Sequence, residues 1–327
     1  MKAIVFTKYG SPEVLELKEV PKPTPAAHEV LIKIHATAVN DYDWSMIRGK
    51  PYPYRLMFGL LKPKRQIPGM ELAGVVEGLG VNATSFKVGD EVYGDISECG
   101  FGSFAEYICI DEKALIRKPE NMSFEEAAAI PHAAMLAMQG LVDIGKIRNG
   151  AKVLINGAGG GVGTFGLQLA KLYDAEVTGV DTGEKLEMMK SIGFDHILDY
   201  KQEDFTKNGQ RYDLILDAKT NRSTFAYARS LKPNGTYATV GGTLPRLLQA
   251  LCLRPWISRF HKKNIYIVAL KPNKNLSYIN ELFATGKVKC VIDKPFTLDE
   301  AAEAIQRFGE GKHTGKVVVS VQHAPTA

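Results

Sequence analysis

Cysteine is scarce in this chain: four in 327 residues, at Cys99, Cys109, Cys252 and Cys290. No pair has metal-ligand spacing, and so few in so long a chain exclude a disulfide framework. Long apolar runs are missing too. Nothing approaches the roughly 20 residues of a bilayer span. Met1–Phe6 runs straight into a strand pattern, with no basic-then-apolar leader. A reducing, cytoplasmic setting is therefore expected. Neither sign of charge dominates, since 41 Lys and Arg stand against 36 Asp and Glu. A nucleic-acid binder needs a stronger, clustered basic excess, so none is expected as partner. Internal repeats and low-complexity segments are absent as well.

What is present suits a globular chain of two domains. Hydrophobic residues make up 45% and charged residues 24%, enough for a sizeable core. Up to about residue 120 the sequence reads as short strands between turns. Val14–Val20, Glu29–Ala38, Leu72–Leu79 and Phe104–Ile110 are rich in β-branched and apolar residues. Pro21, Pro23 and Pro25 separate the first two, and glycines punctuate the third region. An irregular barrel or sandwich is expected there.

The pattern changes near Asn121. Ser123-Phe-Glu-Glu126 is a capping box, followed by an Ala-rich helix over Ala127–Leu141. From Ala151 strands and helices alternate. The strands are Lys152–Asn156, Glu176–Asp181, Tyr212–Asp217 and Thr236–Val240. The helices are Val162–Leu172, Glu184–Ile192 and Ser223–Ser230. Such alternation implies a parallel sheet with helices on both faces. Thr297-Leu-Asp-Glu300 caps a last helix, Leu298–Phe308. A final strand, Gly315–Val321, can return to the first domain.

Residues 152–163 read Lys-Val-Leu-Ile-Asn-Gly-Ala-Gly-Gly-Gly-Val-Gly. A buried strand meets a glycine-rich turn and a helix begins at once. Glycine serves where a Cβ obstructs the turn and where a pyrophosphate approaches the backbone. The helix N-terminus then offers free amides and the positive end of its dipole. The strict G-x-G-x-x-G spacing is met with Ala158 in first place, then Gly160 and Gly163. Gly157, Gly161 and Val162 complete the turn. Alone, such a turn is equally a tight turn without ligand. Asp181, ending the next strand about 20 residues on, adds the acidic residue of the dinucleotide fingerprint.

Several stretches together resemble a known superfamily. They are Met1-Lys-Ala-Ile-Val5, Ala38-Val-Asn-Asp-Tyr-Asp43 with Arg48-Gly49, and Pro68-Gly-Met-Glu-Leu-Ala-Gly-Val-Val76. Phe86-Lys-Val-Gly-Asp-Glu-Val-Tyr-Gly94, Gly157–Gly163 and His313-Thr-Gly-Lys-Val-Val318 complete the set. In this order they resemble the medium-chain dehydrogenase/reductase superfamily, in its zinc-free quinone-oxidoreductase-like branch, which includes zeta-crystallin. The resemblance implies an α/β protein: a GroES-like, β-rich catalytic domain from residues 1–121 and 271–327, with an inserted Rossmann-type domain over 122–270. It also implies a nicotinamide cofactor. A homodimer is expected.

Zinc-dependent members carry Cys in the active-site loop and a Gly-His-Glu stretch. The corresponding positions here are Asn40 and Met70, both poor zinc ligands, with Glu71 left as a lone carboxylate. Zinc is therefore not expected, and no Lewis acid polarises an alcohol or carbonyl. Small apolar acceptors that take hydride readily become the natural substrates: quinones and conjugated enones or enals. Two rivals stay open. One is a zinc-independent alcohol or aldehyde oxidoreductase, which needs a proton relay from Tyr or His. The other is a non-catalytic, nucleotide-regulated binding protein.

Asn40 is a candidate contact to the cofactor ribose or substrate oxygen, and Asp43 a candidate for orienting Arg48 or the loop; both also suit ordinary turns. Tyr42 and Tyr52 are possible proton donors or packing residues. His132, after Pro131, replaces an apolar residue of the family, and Leu136 stands in place of its Thr. His132 either donates a proton at the nicotinamide or packs at a helix start. Ala218-Lys-Thr220 departs from the family's Val-Gly, so Gly241 and Gly242 are the better candidates for a backbone wall beside the nicotinamide.

Asp181 is placed to accept hydrogen bonds from the ribose hydroxyls, and a 2′-phosphate would meet it as a like charge. Lys185 and Lys201 offer compensating charge, and Tyr200 can pack on ribose or adenine. Were Asp181 to turn aside onto Lys185, NADPH would be admitted. Binding of both NADH and NADPH is expected, with NADH favoured. Residues 244–263 combine apolar and basic positions, and Pro255 is expected to split them into two short helices. An interfacial membrane helix is one reading; a cover over an apolar cleft or a dimer surface is favoured.

Overall fold

The computed structural model describes residues 1–323. The chain forms two compact units. The first comprises Met1–His132, Pro272–Asn280 and the chain from Ile292 on; the second comprises Ala133–Lys271 and Glu281–Val291. The division falls at 132/133 rather than 121/122 because the helix capped by Ser123 packs on the sheet of the first unit. Residues 324–327, the end of the range 271–327 expected in the first domain, lie outside the described residues.

Strands are numbered β1–β15 and helices α1–α10 in chain order. In the first unit β1 (Lys2–Val5) pairs with β2 (Glu16–Glu19). The expected strand from Val14 starts late because Pro12 opens a 3-10 turn through Val14. The main sheet contains β3 (Glu29–Ala38), β4 (Glu71–Leu79), β5 (Glu91–Asp95), β6 (Tyr107–Asp111) and β7 (Ile116–Arg117). Two strands from the far end of the chain complete it, β14 (Phe296–Thr297) and β15 (Val318–Ser320), in the order β14-β15-β3-β4-β5-β7, with β6 also on β3. Along β3, Val30, Ile32, Ile34, Ala36 and Ala38 alternate inward, the period of a strand with one face on a core. That core includes Phe104, Phe296 and Ile305. α10 (Ala301–Gly309) buries Ala301, Ala304 and Ile305 against it, and the Glu300 carboxylate accepts the Thr297 amide across the 3-10 turn Leu298–Glu300 that leads into it.

Antiparallel register decides where chemistry can gather. Ala38 faces Val318, Thr37 faces Leu72, and Glu71 faces Asp95. The last residues of β3 and β5 thus meet the first residues of β4 and β15 at one end of the sheet. α1 (Asp41–Arg48) and α2 (Arg55–Phe58) follow β3. The helix expected over Ala127–Leu141 is instead broken. α3 (Phe124–Ala129) ends at Pro131, which lacks an N–H to continue it, and α4 (Pro131–Met138) restarts there and widens into a π-helical segment, Gln139–Ile144.

The second unit is a six-stranded parallel sheet. Its strands are β8 (Lys152–Asn156), β9 (Glu176–Asp181), β10 (His196–Asp199), β11 (Tyr212–Asp217), β12 (Leu231–Thr239) and β13 (Asn264–Ile267). The order β10-β9-β8-β11-β12-β13 reverses between β8 and β11, the switch point where ligands bind in doubly wound sheets. α5 (Gly161–Lys171), α6 (Leu186–Ser191) and α7 (Thr224–Arg229) connect the strands. α8 (Leu244–His261) corrects a sequence expectation: it is one continuous 18-residue helix with Pro255 inside it. Pro255 is exposed, so its ring and the carbonyl that loses an N–H partner face solvent rather than a packed neighbour. α9 (Leu276–Ala284) completes the set.

Candidate active site

In the first unit the converging strand ends build one buried network. Asn40 is the N-cap of α1, and its backbone amide donates to Asp43 Oδ2 at 2.9 Å. Its side chain is committed at both ends. Nδ2 donates to Glu71 Oε2 at 2.6 Å, and Oδ1 accepts from Lys316 Nζ at 2.7 Å. Lys316 also pairs with Glu71 Oε2 at 2.7 Å, with the Glu71 side chain wholly buried and that of Lys316 4% exposed. Glu71 Oε1 accepts the backbone amide of His132 at 2.6 Å. One carboxylate therefore fixes the loop at Asn40, the segment that leads into β15 and the start of α4.

Asp43 does not orient Arg48. Its second oxygen accepts the Gly69 amide at 2.9 Å, while the Arg48 guanidinium lies 4.6 Å over the Trp44 ring. Burial pushes the Asp43 carboxyl up to about 7, against the two backbone bonds, which lower it, and the neighbouring Glu71 charge adds to the rise. Asp43 is thus the tie between α1 and the approach to β4.

His132 Nδ1 lies 2.9 Å from Asp95 Oδ2. Burial opposes the imidazolium, but the hydrogen bond and charge of Asp95, with Glu71 beyond, outweigh it and raise the His132 pKa. Asp95 shows the reciprocal effect: burial works against its charge, yet the bond and charge of His132 hold its pKa below the usual range. The Tyr42 ring stands edge-on to the imidazole at 6.2 Å, and a run of aromatics continues through Tyr54, Phe58 and Phe101. Tyr52 is 65% exposed, with Lys50 and Arg55 over its ring.

In the second unit β8 runs into the glycine turn. Gly157 has φ +87°, where a side chain is strained, and a Cβ there would lie 3.1 Å from the stem of Lys219. A Cβ on Gly163 would meet the Ala158 carbonyl oxygen at 2.4 Å, so only glycine lets α5 pack this close to the turn. Gly160 is the N-cap of α5, with Gly161 and Val162 in its first turn. The cradle fits a pyrophosphate: small residues, a helix N-terminus and the cationic Lys219 beside it.

Asp181 is buried and already engaged. Oδ2 accepts the Gly159 amide and Oδ1 the Thr182 amide, each at 2.9 Å, and Lys185 Nζ lies 3.6 Å from Oδ1. Tyr200 follows β10, its amide on the Asp181 carbonyl. The Lys201 amide bonds Asp199, and its side chain is exposed. At the end of β11, Asp217 accepts from Asn156, Tyr237 and the amides of Lys219 and Thr220. Thr220 in turn donates to the Gly241 carbonyl, and a Cβ on Gly242 would strike it. The departure Ala218-Lys-Thr220 is therefore a fixed loop, locked to the Gly241–Gly242 turn.

The zinc-binding dehydrogenase family model matches residues 192–319, and that of the alcohol dehydrogenase GroES-like domain matches residues 26–120. A chloroplast envelope quinone oxidoreductase homolog of Arabidopsis thaliana is 31% identical, covering 98% of each chain. The chain belongs to the medium-chain dehydrogenase/reductase superfamily, in its quinone-oxidoreductase-like branch. An NADPH-dependent alkenal/one oxidoreductase, chloroplastic, from the same plant is 33% identical, over 98% of this chain and 79% of its own. The solved quinone oxidoreductase of Coxiella burnetii superposes with a TM-score of 0.85 at 28% identity, over 98% and 99% of the two chains.

The zinc that the first family description implies does not fit this medium-chain dehydrogenase/reductase. Asn40 and Met70 supply no anionic or imidazole donor. The one carboxylate, Glu71, is paired with a buried ammonium, whose charge repels a second cation. Among the described residues no group of three or more His, Cys, Asp or Glu is placed to hold a metal. Sequence reasoning missed Lys316, Asp95 and Lys219. Lys316 stood in the quoted His313–Val318 stretch, and a lysine within a closing strand was the available signal.

Proposed function

We propose that this chain transfers a hydride from NAD(P)H to a quinone or an α,β-unsaturated carbonyl, without zinc. One observation supports the reading: Asn40, which stands where zinc-dependent members carry Cys, and the neighbouring Glu71 are both bonded to the buried Lys316 ammonium. A saturated carbonyl needs a Lewis acid or a strong proton donor to accept hydride, whereas a conjugated acceptor is already polarised and needs only a hydrogen-bond donor for its developing oxyanion. The substrates in the names of the two Arabidopsis relatives fall in that class.

When bound, the nicotinamide supplies the hydride. The turn Gly157–Gly163 and the α5 N-terminus hold the pyrophosphate, with Lys219 adding a cation. Gly241 and Gly242 wall the loop that Thr220 locks. Asn40, Glu71 and Lys316 hold the backbone of His132 in place. Asp95 fixes Nδ1 and favours the imidazolium, so Nε2 is the nitrogen that delivers the proton to the substrate oxygen. Asn40 and Asp43 act as positioning residues, since their polar atoms serve the network. Because Asp181 is engaged by Gly159, Thr182 and Lys185, its claim on the ribose hydroxyls weakens, and NADPH serves at least as well as NADH. The expected homodimer remains part of this reading, supported by the open edge of β13. The test is deuterium transfer from C4-deuterated NADPH to an enone. Label on the β-carbon supports the proposal; label on the carbonyl carbon overturns it.

A further inference from the structure

From Ala218 to Asn280 the chain carries eleven Lys and Arg and not one Asp or Glu. That leaves 30 of the 41 cations against all 36 acidic residues elsewhere, so the remaining chain is net acidic. The excess positive charge of this protein is gathered in one block of sequence, with ten of its eleven cations in the second unit.

α8 lies within that block. At 1.5 Å per residue it is about 27 Å long. Ala250 and Ile257 mark its inward face. Leu244, Leu248, Leu251, Trp256 and Phe260 turn outward, each between 41% and 68% exposed. Phe225 of α7 meets the Trp256 ring at 5.7 Å and Phe260 meets it at 5.6 Å, so the aromatics form one patch. Arg254, Arg259 and Lys262 are exposed around it. Neither α7, α8 nor β13 has an acidic residue to neutralise them.

Such a face needs a partner that is apolar and anionic at once. A nucleic acid satisfies the cations but leaves five large apolar side chains against a polar backbone. A second copy of the chain brings the same cations against themselves. An anionic bilayer supplies both an acyl boundary for Leu, Trp and Phe and phosphates for the Arg and Lys heads, whose stems lie along the apolar surface. Pro255, which was expected to break the helix, does not, so the exposed leucines and aromatics are carried on one unbroken helix. The helix lies on the membrane and does not cross it: among the described residues no helix is long and apolar enough to span. We propose that α8 docks this protein on an anionic lipid surface, in the plane of the headgroups. Docking is independent of the reaction proposed above.

The test is co-sedimentation of the full chain with vesicles of phosphatidylcholine, alone or mixed with phosphatidylglycerol. Binding is expected only to the mixed vesicles and is expected to fall at high salt. Arg254→Glu/Arg259→Glu/Lys262→Glu is expected to lower partition about fivefold per cation, roughly a hundredfold in all. Leu248→Ser/Leu251→Ser/Phe260→Ser is expected to abolish binding with an unchanged circular dichroism spectrum and unchanged sedimentation coefficient in solution. The proposal is overturned by no binding to mixed vesicles, by equal binding to both kinds, or by tighter binding of a DNA duplex than of vesicles. A dimer that the Leu/Phe variant converts to monomer would overturn it too, by assigning α8 to an interface between copies.

Discussion

Lys316→Met tests the buried network of Asn40, Glu71 and Lys316. The substitution keeps much of the side-chain volume and removes the ammonium that sits 2.7 Å from both Asn40 Oδ1 and Glu71 Oε2. Both ion-pair partners are shielded, at 4% and 0% exposure, so solvent does little to screen the loss. Removing one partner of a buried pair typically costs about 3–5 kcal/mol. Glu71 would keep its bonds from Asn40 Nδ2 and the His132 amide, each 2.6 Å, so a cost near the lower end, about 3 kcal/mol, is expected. Urea unfolding followed by Trp44 in a Trp256→Phe background reads the first unit alone, because Trp44 lies on α1. Glu71→Gln/Lys316→Met removes both charges and is expected to recover at least half of the loss. A loss below about 1 kcal/mol for Lys316→Met, within the range of an exposed pair, would refute the reasoning.

Three further outcomes are expected. Gly160→Val is compatible with a backbone of φ −91° and ψ 178°, so the fold should survive, while NADPH affinity by fluorescence titration falls at least tenfold, about 1.4 kcal/mol; unchanged affinity would misplace the phosphate turn. Asp181→Ser should move the ratio of catalytic efficiencies further toward NADPH, and an unmoved ratio would remove Asp181 from the ribose site. His132→Gln should flatten the parent's pH dependence of stability. The raised His132 pKa contributes stability fully below 6.5 and loses it as pH rises through the folded value, while the lowered Asp95 pKa contributes above 3.8 and loses it as pH falls, so the pair is strongest between those limits. A parent-minus-variant difference that is constant from pH 6 to 9 would contradict the charged pair.

Much of this architecture was legible because its signals are local. The period-2 pattern of β3, the capping boxes at Ser123 and Thr297, and the strand–glycine–helix run at Gly157 each lie within a dozen residues. The network around Glu71 was not legible. Lys316 is 245 residues away in sequence and reaches Glu71 only because β15 pairs with β3, so no window of sequence contains the pair. His132 drew notice as an odd residue, but its partner Asp95 is brought opposite Glu71 by strand register alone. β10 and β13, four residues each, have too few positions to show a period. Pro255 misled for the opposite reason: the local rule against proline in a helix is weaker where the unbonded carbonyl faces water.

The central claim, hydride transfer to a conjugated acceptor without a metal, is tested most directly by following NADPH absorbance with four substrates: a quinone, a conjugated enal, its saturated aldehyde and the matching alcohol with NADP⁺. Each assay is run with and without a strong zinc chelator. The account predicts turnover of the quinone or the enal, none of the saturated aldehyde or alcohol, and no effect of the chelator. Turnover of the saturated aldehyde or alcohol that the chelator abolishes would contradict it.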